Sequence, residues 1–174
     1  MNILAQAIVD LNQILNVRLT IIGLAQNEEQ EIYRDSIKGI FENAKMKNKL
    51  VIPNNGKGVQ IEEVIDIYHA ADVFIYAGID AGKGDVDGVP NALLQAAFSG
   101  IPVLTTLSGS IADLYDEKNS YIIEQKDVHD IVIKFQEMLN DRSRKSKSER
   151  LFDRAKSEFS LFLNVKELES MLQK

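Results

Sequence analysis

The residues best placed to do chemistry lie in the segment Gly84-Asp-Val-Asp-Gly-Val-Pro-Asn-Ala-Leu-Leu-Gln95 and its continuation to Thr106. Its order reads as a loop, a helix beginning near Pro90, a tight turn at Gly100 and a buried strand. Proline suits a first helical turn because its missing N–H would go unused there. Backbone amides of Gly88, Val89, Asn91 and their neighbours then point into the crevice without intrahelical partners. With the helix dipole behind them they suit phosphate or sugar oxygens. Asp87 places a carboxylate just before that helix start. Gln95 places an amide about one and a half turns inside it. Leu93, Leu94, Ala96, Ala97 and Phe98 read as core.

Two glycine-bearing loops interrupt the chain. Pro53-Asn-Asn-Gly-Lys-Gly58 follows one apolar run, and Ala77-Gly-Ile-Asp-Ala-Gly-Lys-Gly-Asp-Val-Asp-Gly88 follows the next. Glycines in the second loop permit unusual backbone angles and close approach of a ligand. A flexible surface loop is the competing account. Lys57 and Lys83 sit in these loops, either as crevice cations or as ordinary surface lysines. Gly56-Lys57-Gly58 lacks the spacing of a phosphate-binding P-loop, and Gly23 stands without the glycine run of a dinucleotide fold. There is no cysteine, and the two histidines, His69 and His129, fall in helical patterns. No metal site is expected from that set.

The elements that position these groups alternate. Apolar, β-branched runs at Arg18-Leu-Thr-Ile-Ile-Gly23, Lys49-Leu-Val-Ile52, Asp72-Val-Phe-Ile-Tyr76, Pro102-Val-Leu-Thr-Thr106 and Ser120-Tyr-Ile-Ile123 suit parallel strands covered on both faces. Helical periodicity is expected at about 2–15, 27–46, 61–70, 90–99, 109–116, 127–140 and 147–172. The fold class is therefore α/β with a doubly wound, mostly parallel sheet, and ligands belong at the carboxyl ends of its strands.

Bulk properties agree. The 174 residues fit one domain, 1–174, with 141–174 as a C-terminal helical extension. The net charge of −6 gives the chain no basic footprint for nucleic acid. The start carries Asp10 and lacks a basic leader, and no stretch approaches a membrane span, so a cytoplasmic protein is expected. The cluster Arg142, Arg144, Lys145, Lys147, Arg150 reads as a solvated linker face, with peripheral contact to an anionic membrane as the second account.

The run Asp87-Gly-Val-Pro-Asn-Ala-Leu-Leu-Gln-Ala-Ala-Phe-Ser-Gly-Ile-Pro-Val-Leu-Thr-Thr106 resembles the signature of retaining GT-B glycosyltransferases of the sucrose-synthase and mannosyltransferase-like group. Leu19-Thr-Ile-Ile-Gly23, Ile67-Tyr-His-Ala-Ala-Asp-Val-Phe-Ile75, Ser108-Gly-Ser-Ile-Ala-Asp113, Asn119-Ser-Tyr-Ile-Ile123 and Phe159-Ser160 are similar to the group's further elements, in the same order. The resemblance implies the C-terminal, nucleotide-sugar-binding domain of such an enzyme, with a Rossmann-like fold. It implies that Asp87 contacts the donor sugar, that Gly88, Val89, Pro90 and Asn91 hold sugar and phosphate, and that Gln95 meets the ribose. The base is implied to lie against Ile52 and Pro53. The resemblance further implies metal-free transfer with retention, from a nucleoside-diphosphate sugar to a glycan or lipid-linked acceptor, as in polysaccharide biosynthesis.

Three departures stand out. Gln95 replaces a glutamate, exchanging two acceptor oxygens for one acceptor and two donors. Asp87 stands where a glutamate is usual. The group's domain also opens with a central strand ending in Gly-Arg and a following Lys that grip the diphosphate, and the chain begins in the helix after it. The first strand and both cations are thus expected to be missing, leaving a place for Lys57 or Lys83 to compensate. The flanking strands must close up or another chain must fill the gap. An N-terminal acceptor domain or partner chain is expected on the same ground. The rival account, from another class, is a degenerate, non-catalytic scaffold module that recruits a partner through the gap.

Overall fold

The computed structural model describes residues 2–79 and 88–160. In chain order these form α1 (Asn2–Leu11), β1 (Leu19–Thr20), α2 (Glu28–Asn43), β2 (Leu50–Val51), α3 (Ile61–Ala70), β3 (Phe74–Tyr76), α4 (Asn91–Ser99), β4 (Val103–Thr105), β5 (Tyr121–Ile122), α5 (Val128–Asn140) and α6 (Arg144–Glu158). Every strand pairing between them is parallel.

Local chemistry sets the boundaries. α1 stops short of the expected residue 15 because Asn12 plugs its end. The Asn12 amide donates to the carbonyls of Ile8 (2.8 Å) and Val17 (3.0 Å), and its oxygen accepts from the Val17 amide. The chain is thereby turned into β1. Asn27 caps α2 by accepting from Gln30 N, and Asp127 caps α5 by accepting from Asp130 N. Gly100 ends α4 in the left-handed region at φ 67°, a conformation that favours glycine. Residues Gly109–Asp113 form a 3-10 turn rather than the α-helix expected over 109–116.

β4 shows the layering most clearly. Leu104 is buried among α1, α2 and α5, whereas its neighbour Val103 is buried among α3, α4 and α6. Successive strand side chains point to opposite faces, so helices cover both sides of β4. β3 alternates likewise, with Phe74 and Tyr76 on the α3–α4–α6 side and Val73, Ile75 and Ala77 on the other.

The parallel sheet is divided. β1 pairs with β2, β3 pairs with β4 and β4 with β5, and no described strand joins β1 to β3. Both halves rest on the α1–α2–α5 layer, through Leu19 and Ile21 on one side and Val73 and Ile75 on the other. The two strands that should flank a central strand have not closed up. Ile21 donates to Val51 and Phe74 donates to Pro102, so by the period of two the amides of Thr20 and Ile75 face the open side. Hydrogen exchange by NMR should show those two amides exchanging about tenfold or more faster than Leu104 in mid-sheet. Equal protection at Thr20, Ile75 and Leu104 would mean the ladder is continuous after all. Beyond β1, Ile22 and Leu24 are 37% and 53% exposed despite their apolar character.

The basic cluster has a use the sequence did not suggest. Lys147 donates to the carbonyls of Glu117 and Ser120, its ammonium lying 4.6 Å from the Tyr121 ring centroid. Arg150 donates to Lys118 O at 2.7 Å, and Arg154 to Asp113 O with an ion pair to Asp116 at 3.2 Å. Lys147 and Arg150 therefore tie α6 to the turn before β5, while Arg142 and Lys145 stay exposed. The stretch 161–172 of the expected last helix lies outside the described residues.

Candidate functional site

The carboxyl ends of β3 and β4 are tied together by Thr106. Thr106 donates from its amide to Tyr76 O (3.2 Å) and from its hydroxyl to Gly78 O (2.8 Å). A Cβ at position 78 would lie 2.5 Å from the Tyr76 ring and 2.7 Å from Ser108 Oγ, so only glycine fits there.

The start of α4 is firmly seated. Pro90 is its N-cap, and its carbonyl accepts from the amides of Leu93 (2.9 Å) and Leu94 (3.2 Å). That leaves the amides of Asn91 and Ala92 as the outward donors of the helix start. Two buried tyrosines hold the same turn from below. Tyr68 on α3 donates to Ala92 O at 2.9 Å, and Tyr115 donates to Leu93 O at 2.6 Å. Burial pushes both phenols above their ordinary pKa, Tyr115 the further, with the nearby Tyr68 adding to its shift. Both thus remain O–H donors at neutral pH. Nothing in the sequence around Tyr115 marks it as a support for this turn, and Tyr68 stands out only within the Ile67–Ile75 motif.

The other expected residues are distributed as follows. Gly88 is exposed, with no atom within 4 Å of where a Cβ would sit. Val89 is half-buried and packs on the α3–α4–α6 core. Asn91 and Gln95 are exposed on one face of α4 and line a groove of about 450 Å³ between α3 and α4. Ile61, Ile65 and Phe98 make its apolar wall. Ile52 and Pro53 lie at the carboxyl end of β2 and are not among the groove's walls. Lys57 is exposed in the loop beyond them. Asp87 and Lys83 lie outside the described residues. A second groove, of about 490 Å³, opens beside Gly100, Pro102 and α6 at the opposite end of β4, and no expected site residue lines it. Among the described residues no group of three or more His, Cys, Asp or Glu is gathered for a metal.

This arrangement has donors aimed outward at a helix start, an open glycine beside them, and polar side chains one turn along. The family described as Glycosyl transferases group 1 matches residues 1–141. The chain belongs to that family.

The chain's similarity to known proteins is low in sequence and high in shape. The chain is 25% identical over 111 residues to WcaL of Escherichia coli, named a colanic acid biosynthesis glycosyltransferase, covering 63% of this chain and 25% of WcaL. A structure of Anabaena Alr3699/HepE in complex with UDP superposes with a TM-score of 0.79 at 12% identity, over 97% of this chain and 44% of that one. The C-terminal domain of LpcC, a glycosyl transferase group 1 protein from Francisella tularensis, gives 0.75 at 19% identity, over 92% of this chain and 79% of that domain. The fold is that of a GT-B glycosyltransferase domain. The chain spans about a quarter of the curated relative it matches.

Proposed function

We propose that this chain is the donor-binding part of a retaining glycosyltransferase, holding a nucleoside-diphosphate sugar at the carboxyl ends of its strands. The observation that carries this is the start of α4. Among the described residues its Asn91 and Ala92 amides have no helical partner, and Tyr68 and Tyr115 fix the turn that bears them. Donors held in place before the reaction stabilise charge developing on a departing diphosphate without reorganising. Asp87, immediately before the open Gly88, is assigned to the donor sugar, and Gln95 to the ribose. The nucleotide-bound structures of HepE, with UDP and with UDP-glucose, favour a nucleotide sugar as the ligand.

A glycan or lipid-linked acceptor fits the similarity to a colanic acid glycosyltransferase. The acceptor would be held by polypeptide beyond this domain, since the chain covers less than half of HepE. No helix among the described residues is long and apolar enough to cross a membrane.

The division between β1 and β3, together with Gln95, favours a second reading, a non-catalytic module that binds a partner through the open sheet edges. Titration calorimetry of the chain with uridine, guanosine and adenosine diphosphates separates the two. The donor site predicts binding of at least one, weakened about tenfold or more in Asp87→Ala when the corresponding nucleotide sugar is the ligand. A folded chain indifferent to all three supports the scaffold.

A further inference from the structure

The loop after β2 is the most unusual backbone among the described residues, and α2 holds it. Asn54, Asn55 and Gly56 are consecutively left-handed, at φ 50°, 54° and 77°, and Gly58 follows at 85°. Non-glycine residues in that region are strained, asparagine least, and persist where the surroundings hold them. Here three contacts do so. Asn54 donates its side-chain amide to Gly58 O at 3.0 Å. Ala25 donates to Gly56 O at 3.4 Å, beside an antiparallel bridge between Leu24 and Lys57. Arg34, 21 residues earlier on α2, donates from Nη1 to Asn55 O at 3.2 Å.

The Arg34 contact is the closest fitted. Its side chain is only 22% exposed. A Cβ at Gly56 would lie 2.9 Å from its Nη1 and 3.0 Å from its Cδ, so the guanidinium occupies the space that the missing side chain leaves. Gly56 is buried although Asn54, Asn55 and Lys57 around it are exposed. Arg34 therefore acts as a post under the loop. The loop starts at Pro53, directly after Ile52, and these are the residues assigned to the base of the donor.

We infer that Arg34 is a positioning residue that sets which nucleoside base the site accepts, acting through the left-handed loop Pro53–Gly58. The inference rests on the donor-binding reading. Base selection depends on hydrogen-bonding edges presented at fixed places, and a shifted loop loses discrimination before it loses the diphosphate, which belongs to the α4 end. Lysine at position 34 keeps the charge and loses the planar fork that reaches Asn55.

The test is calorimetric affinity of the chain, of Arg34→Met and of Arg34→Lys for uridine, guanosine and adenosine diphosphates and for inorganic pyrophosphate. In the unaltered chain one base is expected to be preferred. In both variants the ratio between the best and next-best base should shrink about tenfold, the worth of one hydrogen bond from a charged donor. Pyrophosphate affinity should stay within about twofold. A general loss of stability lowers all four affinities together and leaves the ratio alone, so the ratio isolates the positioning role. If Arg34→Met does not fold, Arg34→Lys carries the same readout. An unchanged ratio in the variants overturns this inference and leaves donor binding standing, as does an unaltered chain that binds all bases equally. A chain that binds none of the nucleotides overturns both.

Discussion

Leu93→Ala should cost about 2–5 kcal/mol of folding stability in urea unfolding, the range for emptying a buried leucine site. Leu93 is fully buried, in the core shared by α3, α4 and α6. The truncation removes apolar atoms from the cluster that also holds Val103, Ile111 and Tyr115, and α4 cannot sink to refill the space. Its start is tied to Tyr68 and Tyr115 by two hydrogen bonds, and its end is turned by Gly100. Total stability of a domain this size is roughly 5–15 kcal/mol, so this one change consumes a large part of it. Asn91→Ala, on the exposed face of the same helix, should stay within about 0.5 kcal/mol. A loss under about 1 kcal/mol for Leu93→Ala would show that α4 is not anchored where Tyr68 and Tyr115 place it. The start of α4 would then lack the rigidity that the proposed donor site requires.

Legibility in the sequence followed the range of the interactions involved. The five strands were visible because each is a short, nearly continuous apolar run, and burial on two faces writes that pattern locally. α4 was visible for the same reason: Pro90, Gly100 and the apolar spacing between them are all within one helix. What the sequence hid was set by contacts between distant residues. Tyr115 reaches Leu93 across 22 residues and Arg34 reaches Asn55 across 21. Nothing in their immediate neighbourhoods marks either as a support for a loop or helix start. Lys147 and Arg150 misled because a run of basic residues looks solvated, whereas carbonyls of the turn at Glu117–Ser120 take up both side chains. The gap between β1 and β3 was anticipated from the motif order. Whether those strands pair could not be read from runs that look alike in either case. Asp87, which the resemblance gives to the donor sugar, and Lys83 in the preceding loop fall outside the described residues.

Gln95→Glu should tighten nucleoside diphosphate binding by about five- to thirtyfold, equivalent to roughly 1–2 kcal/mol from replacing neutral hydrogen bonds by charge-assisted ones. Gln95 is exposed on α4 and lines the α3–α4 groove together with Asn91. Its amide offers one acceptor oxygen, and its NH₂ can only donate. A carboxylate accepts from both ribose hydroxyls at once. Two effects oppose the gain. The chain already carries a net charge of −6, and the ligand is an anion. Across an exposed groove salt screens charges more than about 8–10 Å apart, while a hydrogen bond at contact is screened far less. The contact term should win at physiological salt and by a smaller margin at 10 mM, where repulsion reaches further. Calorimetry with uridine diphosphate and with its analogue lacking both ribose hydroxyls reads the two terms separately. The gain should appear with the first ligand and vanish with the second. A gain that survives removal of the hydroxyls, or a loss with both ligands, would place Gln95 away from the ribose.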